Sequence, residues 1–391
     1  MSATDLYQLN EIFTNKFTDK GNIRYFRAPG RVNLIGGHTD YNDGFVLPVA
    51  INKEMLLAAR KREDNLIKVY SSNFEDLKSF NLDEINFNSE VMWINYIQGV
   101  AKFLQEAGYN LGGLDIVISG TVPQGAGLSS SAALEVVIAR AFSNIFDLEL
   151  DKVEMARIAQ KAEKYFVGVN CGIMDQFISS MGRENMALFI DCRSWDYDLT
   201  PIKGDSFKIV VANTKVEHEL ANSEYNKRIE ECLKAVELLN ELLPGDINKL
   251  RDVNLEDFNS VKERLPEIIQ KRAEHVIMEN RRVKACKQAL QDNDLEQAGR
   301  LITSSHNSLS NLYKVSCEEL DIMVEAALNI EGILGARMTG AGFGGSTINL
   351  VEDQAVPEFI NSLKKKYKSK TGISPDIYEC EIVNGSNEIY I

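Results

Sequence analysis

A glycine- and serine-rich loop at residues 123–133, with the sequence PQGAGLSSSAA, joins a predicted strand to a predicted helix. The start of a helix carries unpaired backbone N–H groups and the positive end of the helix dipole, so it favours a phosphate group. Gly125 and Gly127 would let the backbone approach that anion, and the serine hydroxyls could cap the helix or bind Mg²⁺. The loop has neither a GxxxxGK[ST] sequence nor the third glycine of GxGxxG, where Ser130 stands. A tight turn with a serine cap is the other interpretation of this loop.

Two further glycine-rich stretches lie far from this loop in the sequence. Residues 28–42 read APGRVNLIGGHTDYN and place Arg31, His38 and Asp40 in one loop. Short polar side chains that converge in this way suit a ligand with many hydroxyl groups, since each hydroxyl needs a donor and an acceptor. Residues 335–345 read GARMTGAGFGG, and five glycines among these eleven residues allow the backbone to come close to another group. A solvated turn is the alternative for the first stretch, and a structural bend is the alternative for the second.

Hydrophobic periodicity predicts an α+β fold, because strands and helices alternate without the regular spacing of βαβ units. The predicted strands begin at residue 24 and then cover residues 45–51, 55–61, 66–70, 114–122, 207–213, 346–351 and 377–382. The predicted helices cover residues 4–19, 92–107, 132–146, 152–166, 223–243, 268–290, 294–304, 316–329 and 357–370. Residues 244–265 are polar and contain Pro244 and Gly245, which favours a connecting region. A domain boundary is predicted near residue 205.

The composition argues against several classes of protein. The chain has 43 Lys and Arg against 57 Asp and Glu, so its formal net charge is −14. This charge disfavours nucleic acid or a membrane as a partner, although it leaves room for a local positive pocket. The six cysteines and four histidines are scattered without a CxxC pair, which predicts neither a zinc site nor a disulfide framework. The N-terminus lacks a signal-peptide pattern and no apolar run is long enough to span a membrane, so we expect a cytoplasmic protein with reduced thiols.

Taken together and in this order, the three glycine-rich stretches resemble those of the GHMP kinase superfamily and, within it, of the galactokinase family. The loop at residues 123–133 is similar to the phosphate loop of that family. Tyr96 in the segment WINYIQG, the segment GVNCGIMDQF at residues 168–177 and the segment ANSEYNKR at residues 221–228 extend the resemblance over essentially the whole chain.

The resemblance implies a two-domain GHMP kinase fold. Residues 1–205 would form an N-terminal domain similar to ribosomal S5 domain 2, and residues 206–391 would form a ferredoxin-like C-terminal domain. The resemblance also implies a monomer that uses ATP and Mg²⁺ to phosphorylate the C1 hydroxyl of a monosaccharide, most directly D-galactose, to the 1-phosphate.

The same resemblance implies roles for individual residues. Asp175 falls at the catalytic aspartate, which accepts the proton of the sugar C1 hydroxyl or orients that hydroxyl, and Arg31 falls at the basic residue that pairs with it. A neighbouring arginine favours the carboxylate form of an aspartate, and phosphoryl transfer needs chiefly alignment and charge stabilisation. Ser131 and Glu163 resemble the Mg²⁺ ligands. The implied ATP-binding residues are Ser71, Gly125, Ala126, Gly127, Leu128, Ser129, Ser130 and Ser131. The implied sugar-binding residues are Gly37, His38, Thr39, Asp40, Gly172 and Tyr225.

One position departs from the family pattern. The family signature has glutamate immediately before His38, where this chain has Gly37. The resemblance implies that this glutamate binds the C6 hydroxyl of galactose, and a lost hydrogen bond costs roughly 1–3 kcal/mol when its partner stays unpaired. Galactose would then bind more weakly, or a sugar altered at C6, such as galacturonate or L-arabinose, would be accepted. An incidental or engineered substitution is a further explanation. Gly37→Glu is expected to tighten the binding of D-galactose.

A non-catalytic galactose sensor is the alternative from another functional class. Such sensors resemble galactokinases but carry a damaged phosphate loop. In this chain residues 129–133 keep the sequence SSSAA, and both Arg31 and Asp175 are present. We therefore expect an active enzyme.

Overall fold

The computed structural model describes residues 3–17, 21–123, 125–203, 207–217 and 221–390. Within these ranges helices and strands alternate without repeated βαβ units, and the strands form three separate sheets. The predicted α+β class is confirmed. No helix in these ranges is long and apolar enough to cross a membrane.

Thirteen strands and eleven α-helices lie in the described part of the chain. The strands are β1 (Arg24–Asn33), β2 (Phe45–Val46), β3 (Pro48–Lys61), β4 (Leu66–Ser71), β5 (Asp76–Asn81), β6 (Leu114–Gly120), β7 (Met186–Asp191), β8 (Tyr197–Pro201), β9 (Phe207–Glu217), β10 (Ile333–Thr339), β11 (Gly344–Glu352), β12 (Asp376–Cys380) and β13 (Asn387–Ile389). The helices are α1 (Ala3–Lys16), α2 (Met92–Glu106), α3 (Ser130–Ile145), α4 (Lys152–Lys161), α5 (Met174–Met181), α6 (Ala221–Leu242), α7 (Leu255–Val261), α8 (Glu267–Gln291), α9 (Leu295–Ser308), α10 (Glu318–Leu328) and α11 (Val356–Thr371).

The largest sheet has the strand order β13-β1-β3-β6-β4-β5. Strands β4 and β6 run parallel, and the other neighbours are antiparallel. Successive side chains of a strand point to opposite faces of its sheet. On β3, Leu57 and Ala59 therefore enter the main core, which α2 and α3 share, while Leu56 and Ala58 pack against α1. This arrangement buries both faces of the sheet and fixes the start of α3 against β1.

A second, antiparallel sheet has the order β10-β11-β9-β12. Helices α10 and α11 cover one face of it through a cluster that includes Val210, Met323, Phe359 and Leu363. Helices α6, α7 and α8 pack around a separate cluster, which contains Phe258. The third sheet, β2-β7-β8, joins the strand after residues 28–42 to the chain that follows α5.

Several elements differ from those predicted. The predicted helix at 152–166 is α4 followed by a π-helical turn, Ala162–Val167, which ends at Gly168 in the left-handed conformation. The predicted connecting region at 244–265 contains α7, and its Phe258 is fully buried. Elements α5, β5, β7, β8, β10 and β13 lie outside every predicted element. They have three to eight residues each, and over such lengths an apolar pattern identifies some elements, such as β4, and misses others.

Two predictions fall on residues that the structure does not describe. Residues 18–20 contain the end of the helix predicted at 4–19, and residue 205 is the predicted domain boundary. The division into residues 1–205 and 206–391 therefore stays a prediction. Strand β13, near the C-terminus, pairs with β1 of the first sheet.

Candidate active site

The three glycine-rich stretches, which are far apart in the sequence, meet in the fold. The backbone N–H of Arg31 on β1 donates at 3.1 Å to the carbonyl of Leu128 in the loop at residues 123–133, which is called the phosphate loop here after the loop that it resembles. A Cβ on Gly340, in the third stretch, would lie 3.2 Å from the Cα of Gly127, so the two loops touch through their backbones. The absence of side chains at this crossing is what permits such a close approach.

Arg31 and Asp175 form the central pair of this region. The Nε and Nη2 atoms of Arg31 donate to the two carboxylate oxygens of Asp175 at 2.8 and 2.7 Å, which is a bidentate geometry. The Nη1 atom of Arg31 donates to the carbonyl of Gly127 at 2.6 Å. The Arg31 side chain is 6% exposed, and the Asp175 side chain is 29% exposed. The arginine is therefore fixed inside the protein, and the aspartate keeps a face open to a ligand.

The phosphate loop reaches α3 through a series of left-handed residues. Gly125, Gly127 and Ser129 have φ angles of 67°, 71° and 62°. Such angles are free for glycine but costly for Ser129, whose hydroxyl donates to Asp175 Oδ2 at 2.6 Å. The loop therefore binds the central pair through both Gly127 and Ser129, while the remaining N–H groups at the start of α3 are left for a ligand. Gln124 lies outside the described residues.

A buried polar chain runs beside the start of α3. Ser131 donates to Glu163 Oε1 at 2.9 Å, and Glu163 stands in the π-helical turn after α4. Gln176, next to Asp175, donates to Glu163 and also to Glu135 at 3.0 Å. Burial and the nearby charge of Asp175 raise the pKa of the Glu163 carboxyl. Burial and the charge of Glu163 raise the pKa of the Glu135 carboxyl well above its usual range. A cation at this place would relieve the repulsion among these carboxyl groups.

The oxygen donors of Ser131 and Glu163 fit Mg²⁺. They are a hydroxyl and a carboxylate, which are hard ligands of the kind that Mg²⁺ prefers, and they lie within hydrogen-bond distance of each other. Among the residues that the structure describes, no group of three or more His, Cys, Asp or Glu side chains is placed to hold a metal ion. The two protein ligands would thus need phosphate oxygens and water to complete an octahedral shell.

A cavity of about 190 Å³, lined mainly by polar and charged residues and called the polar cavity below, opens beside the Arg31–Asp175 pair. It brings together most of the residues implied as sugar ligands and the central pair. Its lining includes Arg31, Gly37, His38, Asp40, Glu163, Gly172, Asp175 and Tyr225. Thr39 is not part of this lining, because its buried hydroxyl shares its single hydrogen between the carbonyl of Phe45 at 2.7 Å and that of Gly36 at 3.0 Å. Thr39 therefore supports the loop, and its side chain is not available to a sugar.

Asp40 has an unusual environment in this cavity. A Cβ on Gly172 would lie 2.0 Å from Asp40 Oδ2, so the carboxylate occupies the space that any other residue at position 172 would fill. Burial and the charge of Asp175 raise the pKa of the Asp40 carboxyl to about 6. Hydroxyl donors from a sugar would stabilise its ionised form.

Both ring nitrogens of His38 are already bonded. Nε2 contacts the carbonyl of Ala341 at 3.0 Å, and Nδ1 contacts the hydroxyl of Tyr41 at 2.8 Å. Burial and the proximity of His275 lower the pKa of His38 to about 3, so the ring is neutral. Since a carbonyl only accepts, Nε2 carries the hydrogen and Nδ1 accepts from Tyr41. His38 thus lines the cavity, and a sugar hydroxyl could bond to a ring nitrogen only by displacing one of these partners.

A second cavity of about 200 Å³ begins at the start of α3. It is mainly apolar and includes Ser130 and Ser131 of the phosphate loop, together with Ser71 of β4. The rings of Phe74 and Trp93 stack there with centroids 6.0 Å apart and planes 14° apart. Such a pocket can take a flat aromatic ring next to a phosphate-binding helix start. Ala126 and Leu128 are buried within the loop and do not line this cavity.

Several contacts that shape the site could not be predicted from the sequence. Beneath Gly37, the Arg337 guanidinium and the fully buried Glu279 carboxylate approach to 3.9 Å. Glu279 accepts the backbone N–H of Gly37 at 3.1 Å, and a Cβ on Gly37 would lie 2.8 Å from Arg337 Nη2. Glu135 and Gln176 likewise stand among apolar or ordinary helical residues. Only a Glu on an otherwise apolar face of α3 gives a weak hint.

Comparison with protein families identifies three regions of this chain. The GHMP kinases N terminal domain matches residues 95–183, and the GHMP kinases C terminal domain matches residues 286–369. The galactokinase galactose-binding signature matches residues 11–61. These regions contain Asp175, the second sheet's β10 and β11, and the loop around His38, respectively.

Full-length relatives agree with these matches. The chain is 44% identical to a galactokinase of Clostridium tetani over 96% of this chain and 95% of the relative. It is 41% identical to a galactokinase of Bacillus subtilis over 98% of both chains. Among solved structures, it is similar to Lactococcus lactis galactokinase complexed with galactose, with a TM-score of 0.95, 37% identity and coverage of 98% of this chain and 100% of that chain. The mevalonate kinase of Methanococcus jannaschii shares the fold, with a TM-score of 0.65, 20% identity and coverage of 93% and 100%.

Proposed function

The chain belongs to the galactokinase family of GHMP kinases, and we propose on this basis that it transfers the terminal phosphoryl group of ATP to the C1 hydroxyl of D-galactose. It has the two-domain GHMP kinase fold and is a phosphotransferase. The observation that carries the proposal is the bidentate Arg31–Asp175 pair, which lines the polar cavity and is bonded through Ser129 to the phosphate loop.

The two cavities suit the two substrates. The polar cavity, beside Asp175, would hold the sugar, and the apolar cavity with Phe74 and Trp93 would hold the base of ATP. The hydrogen bond from Ser131 to Glu163 lies at their junction, because Ser131 lines the apolar cavity and Glu163 lines the polar one. A nucleotide extending from the apolar cavity along the start of α3 would bring its terminal phosphate to this junction.

Asp175 acts on the C1 hydroxyl chiefly by positioning it. Both of its oxygens already accept hydrogen bonds, from Arg31 and Ser129, and these donors hold the carboxylate in one orientation. A carboxylate fixed in this way can still accept the hydroxyl proton and hold the oxygen in line with the phosphorus. Arg31 is close enough to stabilise the charge that develops on the transferring group.

Ser131 and Glu163 would hold Mg²⁺ together with the phosphates. The ion would neutralise phosphate charge and help to orient the terminal phosphoryl group. Glu163 is suited to this because its carboxyl is buried against other acidic groups, and Gln176 keeps its second oxygen in place. Ser131 is the second residue of α3, so its hydroxyl stands where the phosphates would approach.

The cavity favours D-galactose over a sugar with a charged C6 group such as galacturonate. Gly37 stands where the family signature has glutamate, and the loss of that negative charge is what would allow a sugar with a carboxylate at C6. The nearest cation, Arg337, is 1% exposed and its charge is balanced by Glu279, so it offers little to an added carboxylate. A neutral C6 group therefore remains the better match. The intact pair of Arg31 and Asp175 likewise argues against a sensor without activity.

Release of ADP from ATP and Mg²⁺, measured with a panel of sugars, tests the proposal. The panel contains D-galactose, D-galacturonate, L-arabinose, D-galactosamine and N-acetylgalactosamine. D-galactose should give the highest kcat/KM. A higher kcat/KM with another sugar would show that this sugar is the substrate. Binding of galactose without any turnover would show that the protein is a galactose sensor and not a kinase.

Asp175→Asn is the matching variant, since it keeps the shape and removes the charge. It should lower kcat by about 100-fold or more, with little change in ATP binding. Near-normal turnover would exclude the role of Asp175.

We further propose that the protein is a cytoplasmic monomer. All six cysteines are free in the structure, which agrees with a reducing compartment. Light scattering after size exclusion tests the monomer, and a mass of twice 43.8 kDa would contradict it.

A further inference from the structure

A third concave site lies at the C-terminal end of α5, outside both cavities of the active site. It is a groove of about 510 Å³, formed by the end of α5, the start of α4, β8 and the loop before β13. Its lining residues are Arg27, Lys152, Met181, Gly182, Arg183, Tyr197, Leu199, Asn384, Gly385, Ser386 and Asn387. The volume is in the range of ordinary small-molecule sites.

The groove has a strongly positive lining in an acidic protein. Its lining contains three cationic side chains and no carboxylate, whereas the whole chain has a net charge of −14. Arg27 is neutralised by Glu54 at 2.5 Å. Within the described ranges, Lys152 and Arg183 form no ion pair. Two charges in the groove are therefore left without a protein counter-ion.

A further cation stands directly behind this lining. Arg140 of α3 donates to the hydroxyl of Ser386 at 3.3 and 3.4 Å and has no carboxylate partner among the described residues. Burial lowers the pKa of Arg140. Partial burial and the charge of Arg140 lower the pKa of Lys152. The cations thus repel one another, and an anion in the groove would relieve that repulsion.

The walls of the groove are firmly built. The N–H of Gly385 donates to the carbonyl of Gly182 at 2.7 Å, which ties the loop before β13 to the end of α5. A Cβ on Gly385 would lie 2.4 Å from the carbonyl oxygen of Ser180, so the two segments are in direct backbone contact. Tyr197 is 43% exposed, and its ring edge packs on Phe177 of α5. This ring adds an apolar surface to the groove, which Asn384, Ser386 and Asn387 also line.

We infer that this groove binds a small phosphorylated metabolite, with the phosphate group at Lys152 and Arg183 and a polar body between Tyr197 and Asn384. Phosphate matches the cations better than a carboxylate does, because it carries more charge and offers three oxygens to an arginine fork and an ammonium. The inference does not rest on the proposed function. The groove nevertheless shares two elements with the active site, since Asp175 lies in the first turn of α5 and β1 carries both Arg27 and Arg31.

Isothermal titration calorimetry tests this inference on the full chain. The wild type is first saturated with D-galactose and a non-hydrolysable ATP analogue, and then titrated with glucose 6-phosphate or with inorganic phosphate. The variant Lys152→Gln/Arg183→Gln removes both exposed charges of the groove. The control variant Lys364→Gln/Lys365→Gln removes two exposed lysines of α11, on the other sheet, and so makes the same change in net charge.

Glucose 6-phosphate should bind the wild type and the control alike, and the groove variant should bind it about tenfold more weakly or worse. If inorganic phosphate binds the wild type as tightly as glucose 6-phosphate does, the groove recognises the phosphate group alone. If glucose 6-phosphate binds more tightly, the groove also recognises the sugar part of the molecule. Absence of binding by the wild type, or equal binding by the groove variant, would overturn the inference. The substituted residues lie outside both active-site cavities. The difference in affinity between the groove variant and the wild type can therefore be measured even if the protein shows no galactokinase activity.

Discussion

The variant Gly172→Ala distinguishes the residues that bind the sugar from those that carry out phosphoryl transfer. It adds one methyl group, which displaces Asp40 and leaves Arg31 and Asp175 untouched. The added Cβ would lie 2.0 Å from Oδ2 of Asp40, 2.6 Å from its Cγ and 2.9 Å from its Cβ. The φ angle of Gly172 is outside the left-handed region, so alanine brings no backbone strain there. The whole effect therefore falls on the Asp40 side chain, which has to leave its present position.

The size of the effect follows from the bonds that Asp40 would lose. A hydrogen bond to a charged acceptor contributes about 1.5–3 kcal/mol. Loss of one such bond to a sugar hydroxyl corresponds to a fall of about 10- to 100-fold in kcat/KM for galactose. Asp175 and the phosphate loop stay in place, so the KM for ATP should change by less than about twofold. Steady-state ADP release, with each substrate varied at saturation of the other, measures both values.

Two variants serve as controls. Asp40→Asn should reproduce the loss in kcat/KM without adding any volume. Gly112→Ala adds a methyl group 2.8 Å from Cε1 of Phe146, away from both cavities, and should affect stability without affecting the KM for galactose. If Gly172→Ala kept the wild-type kcat/KM while Asp40→Asn lost it, the steric argument would be refuted. If both variants kept it, Asp40 would not be a sugar ligand.

Three further predictions concern Asp40, Glu163 and Gly37. Because the pKa of the Asp40 carboxyl is about 6, protonation on going from pH 7 to pH 5 removes an acceptor, so the KM for galactose should rise by up to about tenfold per pH unit below 6; a KM constant with pH in buffered assays would contradict this. Glu163→Gln should raise the Mg²⁺ concentration for half-maximal rate by about tenfold, and an unchanged Mg²⁺ titration would exclude Glu163 as a ligand. Gly37→Glu should lower the KM for galactose and also lower the free energy of unfolding by about 1–3 kcal/mol, since its Cβ would lie 2.8 Å from Arg337 Nη2. An unchanged or higher KM would contradict the C6 contact, and urea denaturation measures the stability.

The long elements of this fold could be predicted because their apolar period repeats over several turns. Helices α2, α3, α6, α8 and α11 lie within a few residues of the predicted ranges. Helix α5 could not be found in this way, since it has only eight residues, about two turns, over which an apolar period hardly repeats. The π-helical turn at Ala162–Val167 also has no local signal, because its sequence continues the helical pattern of α4.

The candidate site shows the same limit at the level of side chains. The motif residues could be located because each glycine-rich stretch is contiguous in sequence. The contacts that these residues make could not be predicted. Glu279 binds the backbone of Gly37 from 242 residues away, and Arg337 reaches Gly37 from β10 of the second sheet. Such contacts depend on how whole elements pack, and a sequence pattern that spans one turn or one strand does not contain them.

Two separate hydrogen-bond systems line the same cavity, and we propose that one serves phosphoryl transfer and the other sugar recognition. Transfer depends on a closed set in which Arg31 binds Asp175 and Gly127, and Ser129 binds Asp175. Recognition depends on the loop of His38, whose partner Tyr41 contacts Tyr313 at 2.9 Å in the other half of the chain. A change in the first set moves the reacting atoms and should reduce kcat. A change in the second set leaves those atoms in place and should alter the KM for the sugar, so the ratio of the two effects identifies the system to which a residue belongs.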